Sequence, residues 1–150
     1  MQMATLLTSA SLDDVLTLTH GASCFALFGV IWIVQLVHYP AFSWVRQREF
    51  AAFARFHADG ITPVVLPLML AEAATAWHVW NVASIGLVWG ATFALSVPCH
   101  ERLSARGWHA ATHARLVRTN WLRTAVWTAR AGGVFVAALT VLGARGARDR

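Results

Sequence analysis

The chain has 150 residues, 57% of them hydrophobic and 13% charged, with a mean hydropathy of +0.53. A soluble domain carries about 25% charged residues, so this chain lacks the polar shell of a soluble enzyme and is too apolar for a disordered tail. Its two cysteines are too few for a disulfide scaffold. At about 20 apolar residues per crossing, one membrane domain of four helices uses nearly all of the length. The charge is basic, +5 with a pI near 11.0, and every basic residue other than histidine is an arginine. The arginines cluster between apolar runs, a pattern of membrane topology and headgroup contact. It does not point to nucleic acid.

From Val15 to Val45 there is no Asp, Glu, Lys or Arg. This predicts a first crossing over about 14–39, with Ser11 as N-cap, Asp13 and Asp14 suited to the helix dipole, and Pro40 ending the regular helix. No basic segment precedes it and no small-residue cleavage site follows, which argues against a cleaved signal peptide. Between Asp59 and Glu101 the one formal charge is Glu72. That stretch is long enough for two crossings, predicted at about 61–80 and 83–99, with a turn at Asn81 to Ser84 beside Trp77, His78 and Trp80. Pro63 and Pro67 fall in the first turns of the second helix, Pro67 expected to bend it, and Pro98 closes the third. A fourth crossing is predicted over about 119–143. The connections 41–59 and 100–118 hold seven arginines and read as amphipathic helices on a membrane surface. The expected fold is therefore all-α, an integral membrane four-helix bundle with two amphipathic cytoplasmic loop helices. The opposite side holds Arg145, Arg148 and Arg150. Positive-inside counting then places both termini outside a bacterial inner membrane. Cys24 and Cys99 fall at opposite depths and are not expected to bond.

Charge within a crossing is costly and is paired or functional. Glu72 and Arg130 each lie eleven positions into their predicted helices, so they are expected near mid-membrane and facing one another. The pair would serve either as a packing element or as proton-handling machinery. Asn120, Arg123, Thr124, Trp127 and Arg130 recur at steps of three or four and share one face of the fourth helix. Glu72, Arg123 and Arg130 are thus the candidate catalytic residues. Arg118 and Arg123 are candidates to neutralise an anionic group.

The histidines sort into an outer group, His20 and His78, and an inner group, His38, His57, His100, His109 and His113. Imidazole is a common ligand for transition metals and haem, and bundles carry such sites between facing helices. His38, His57, His100 and His113 are the candidate metal ligands, with Glu101 as a carboxylate. His38 with His100, or His20 with His78, are candidate axial ligands of a haem b. Gln35, three positions from His38, is a candidate to orient the group bound there. Most tryptophans suit the two interfacial belts. Trp32, Trp89 and Trp127 lie deeper and either pack or line a ligand cavity.

The phrases VQLVHYPAF, LPLMLAEAATA, VPCHERL and HARLVRTNWLRTAVWTAR together resemble a group of small four-helix bacterial membrane proteins of uncharacterised activity, over most of residues 20–135. That resemblance implies the four-crossing architecture and no reaction. The segment His38-Tyr39-Pro40-Ala41-Phe42 is more distantly similar to HemJ-type protoporphyrinogen oxidases and to CopD-like domains. This second resemblance implies haem binding through a histidine. The functional expectation is a small membrane oxidoreductase, metal- or haem-dependent, acting on a hydrophobic substrate at a His-rich cytoplasmic site. The alternatives are an accessory subunit docked in a larger membrane complex or a homo-oligomer, and a small proton-coupled transporter. The bilayer itself is the one partner common to all of them.

Overall fold

The computed structural model describes residues 11–148. Arg150, one of the three tail arginines used to assign topology, lies outside that range. Every element among the described residues is helical. They form four rods: α1 Leu12–Trp44, α2 Gln47–Ala74, α3 Val79–Arg106 and α4 Ala110–Arg148. Three helices are long and apolar enough to cross a membrane, namely α1, α3 and the Ala110–Ala144 stretch of α4.

α1 begins as the sequence anticipates. Ser11 Oγ accepts from the Asp14 N–H at 3.2 Å and Asp14 Oδ2 accepts from the Ser11 N–H at 3.0 Å, a complete capping box. Its end differs from expectation. Pro40 does not stop the helix, which continues through Tyr39–Ala41 and a 3₁₀ turn, Phe42–Trp44. Pro98 likewise does not close α3, which runs on to Arg106. The two prolines share a solution. A π turn, Val34–His38, ends two residues before Pro40, and another, Thr92–Ser96, ends two residues before Pro98. A proline ring clashes with the carbonyl four residues back and offers no N–H to it. The wider π turn moves that carbonyl aside and removes the need for the bond.

The remaining boundaries shift for related reasons. α2 starts at Gln47, fourteen residues before the predicted start at 61, and ends at Ala74, short of the predicted 80. It passes through both Pro63 and Pro67. The predicted amphipathic loop helices are not separate pieces. Residues 47–59 are the first turns of α2, 97–106 the last turns of α3, and 110–118 the first turns of α4. Their aromatics divide: Phe42 and Phe50 are fully buried against Tyr39, Ala54, Leu103 and Leu116, whereas Trp44 and Phe56 are exposed. A second cluster, higher in the bundle, joins Leu27, Ile31, Met69, Val88 and Trp127. Gly107 (φ 78°) ends α3, donating its N–H to Leu103 O at 3.0 Å. His109 then starts α4, its Nδ1 accepting from the Thr112 N–H at 3.2 Å. Cys24 and Cys99 are both buried and not bonded to each other.

α1 packs on α2 and α4, and α3 packs on α4. α2 rests against the lower end of α3 and contacts its upper part sparsely. This uneven seam leaves space between the rods.

Candidate functional site

The polar face of α4 is buried along its length, and it divides into two clusters of different character. In the upper one, Arg130 Nε donates to Glu72 Oε1 at 2.9 Å, both side chains being 2% exposed. Trp127 Nε1 donates to Glu72 Oε2 at 3.3 Å. Arg130 Nη1 reaches Asn81 O at 3.2 Å and the Ser84 hydroxyl, and its Nη2 lies 3.4 Å from His20 Nε2. An arginine only donates, so His20 Nε2 accepts and the proton is on Nδ1, which donates to Thr75 Oγ1 at 3.1 Å. Thr75 in turn donates to Ala71 O at 2.7 Å. The pair expected from sequence therefore exists, joining the middle of α4 to the end of α2. Glu72 is two residues from the end of α2, and the pair ties the α2–α3 turn to α1 and α4. Both nitrogens of His20 are occupied and His78 is exposed, so these two do not form the expected pair of haem ligands.

The lower cluster is a ladder across three rods. Asn120 Nδ2 donates to Gln35 Oε1 at 2.8 Å, and Gln35 Nε2 donates to Val117 O at 3.4 Å. Arg123 Nη1 donates to Ser96 Oγ at 3.1 Å and to Asn120 Oδ1 at 3.3 Å. Its guanidinium carbon stands 5.3 Å from the ring centre of Trp127, and Tyr39 lies beside it. Arg123 is 8% exposed, yet among the described residues no carboxylate pairs with it and its Nε has no partner. Gln35, three positions from His38 in sequence, is thus committed to α4 and not to an imidazole. Gln35 and Ser96 both sit in the two π turns, which bring these side chains to the axis of the bundle.

Below the ladder, His57 lies between two other imidazoles, its ring centre 4.4 Å from that of His38 and 5.3 Å from that of His100. His100 Nε2 is 3.0 Å from the Tyr39 hydroxyl. His38 Nε2 and His100 Nδ1 are buried without partners. His57 itself is buried. The fourth expected ligand, His113, is elsewhere. Its Nε2 donates to Tyr39 O at 2.8 Å and its ring lies against Trp108 and Phe42. Arg118 is exposed, as is Glu101.

Among the described residues, no group of three or more His, Cys, Asp or Glu is arranged to hold a metal ion.

These features surround a cavity of about 540 Å³ between all four rods. Its walls are apolar (Val30, Val34, Val65, Met69 and Phe93 among them), and His57, His100, Tyr39, Ser96 and Arg123 contribute polar atoms. Arg55, Asp59, Glu101 and Ser104 line its lower end. A smaller recess of about 290 Å³, lined by His38 and His57, adjoins it. Of the three deeper tryptophans, Trp32 donates to Thr128 Oγ1 at 3.0 Å and Trp127 to Glu72. Trp89 lines the cavity and its buried N–H has no partner. The sequence reading missed Tyr39, Asn81 and Ser84 as members of these clusters. The one tyrosine of the chain, next to His38 and a proline, was the available signal for the first. For the others it was two polar residues three apart in an apolar run. Compared with protein-family models, curated proteins and solved structures, the chain matches none.

Proposed function

We propose that this chain is a multi-pass protein of a bacterial inner membrane that binds a hydrophobic small molecule in the cavity between its four rods. The observation that carries the reading is the wall itself. It is apolar over most of its area, yet it includes Arg123, a buried arginine that no carboxylate neutralises among the described residues. A buried charge without a counterion is costly. A space of ligand size beside it (pockets run about 300–1,000 Å³) is best explained by a molecule that fills the walls and meets that charge.

Membrane insertion is supported by the three long apolar helices and by the large side chains exposed on α2, including Val64, Leu66 and Leu70. In this reading α2 is the fourth crossing, both termini lie outside, and the seven arginines of the lower end face the cytoplasm. The ligand then enters from the lower end, past Arg55 and Glu101. The chain's own residues do three things there. The apolar walls exclude water, Arg123 and Trp89 orient the bound molecule, and His57 and His100, with Tyr39, supply groups that exchange protons.

The test is binding of a neutral, environment-sensitive dye such as Nile red to purified protein in zwitterionic nanodiscs. A stoichiometric site is expected, abolished by Val65→Trp, which fills the cavity. Dye binding that is equal in the filled variant overturns the reading.

A further inference from the structure

We infer that the molecule held in this cavity is an amphiphile with a single carboxylate head, bound by the Arg123 guanidinium. The inference rests on the cavity reading above and names the class of molecule that fits it.

The argument begins with charge. α4 buries two arginines one above the other. Arg130 has a carboxylate at 2.9 Å and further acceptors for its remaining donors. Arg123 is buried to a similar degree, 8% against 3% exposed, but has only neutral partners. A buried cation without an anion is costly in a low-dielectric interior, and more so within a bilayer. Its counterion is therefore to be sought in the cavity that it lines.

The hydrogen bonds to Ser96 and Asn120 both run from Nη1, and Tyr39 lies beside the guanidinium, so every partner of this arginine is neutral. A carboxylate is the anion whose two oxygens match the parallel donors of a guanidinium edge.

The rest of the ligand follows from the walls. Above Arg123 the lining is Leu27, Ile31, Met69 and Trp127, which suits a hydrocarbon body. At the lower end the lining holds two acids, Asp59 and Glu101, against one base, Arg55, a balance that disfavours a second anionic group. One carboxylate on an apolar body meets these conditions, whereas an inorganic anion leaves the walls unused.

The experiment displaces the bound dye with four probes of one chain length: dodecanoate, dodecanol, methyl dodecanoate and dodecyl phosphate. Dodecanoate is expected to displace it at a concentration at least ~10-fold lower than the alcohol or the ester, 10-fold being about 1.4 kcal/mol. Arg123→Gln should bring the acid-to-alcohol ratio close to one. Arg123→Lys, which keeps the charge and loses the parallel donors, should give an intermediate ratio. Circular dichroism melts establish that each variant is folded. Equal displacement by acid and alcohol in the wild type overturns the carboxylate assignment while leaving the cavity reading intact. Tighter binding of dodecyl phosphate than of dodecanoate overturns it as well. Absence of dye binding to the wild type removes the cavity reading and this inference with it.

Discussion

Arg130 and Arg123 stand seven positions apart on one helix face, and the difference between them is one of partners. Glu72 and Arg130 neutralise each other, and Trp127, Asn81, Ser84 and His20 complete their hydrogen bonds. Such a pair contributes little against an apolar replacement, but breaking it leaves a bare buried charge, at about 3–5 kcal/mol. Glu72→Gln is therefore expected to lower stability by that order, read as a fall in melting temperature in detergent. The double variant Glu72→Gln, Arg130→Gln should recover part of the loss. If Glu72 were instead a proton carrier, Glu72→Gln would melt close to the wild type. The sequence located both arginines, because charge inside an apolar run stands out. It could not show that one is paired and the other is not. The partners of Arg123 come from 27 residues away on α3 and three residues away on its own helix.

Prolines that read as helix stops became sites where the helix widens. Val34–His38 and Thr92–Ser96 are each a π turn placed ahead of a proline. Each one aims a polar side chain, Gln35 or Ser96, at the polar face of α4. Local rules gave the wrong prediction because a proline inside a long packed helix has two outcomes. Packing on both sides of Pro40 and Pro98 favours continuation over a break. Of the aromatics of 41–59, Phe42 and Phe50 pack inside the bundle while Trp44 and Phe56 stay exposed, so one amphipathic spacing serves both the core and the surface. The break between α3 and α4 is Gly107, with φ 78° and ψ −163°. That region of backbone space is open to glycine and strained for any other residue, by about 1–3 kcal/mol. A Cβ there would meet nothing within 4 Å. Gly107→Ala should therefore destabilise through backbone strain alone, lowering the melting temperature without altering dye affinity.

Taken as a whole, the molecule is four antiparallel rods whose lower ends carry the arginines and whose seam holds the cavity. In the proposed orientation, single cysteines introduced at Ser43 or Arg106 in a Cys24→Ser, Cys99→Ser background should be labelled by a membrane-impermeant maleimide in inverted vesicles and protected in intact cells. A cysteine at His78 should show the reverse. Labelling of all three from one side would overturn the four-crossing arrangement. The all-helical class, the three long apolar spans, the neutral stretch of helix 1 and the polar stripe of α4 are legible in the sequence. They depend on composition and on periods of three to four residues, which are local properties of the chain. The cavity, the separation of His113 from His38, His57 and His100, and the partnerless Nε of Arg123 depend on atoms brought together from all four rods. Whether a buried polar atom is satisfied depends on distances of about 3 Å between residues far apart in the chain. Only the tertiary packing determines those distances.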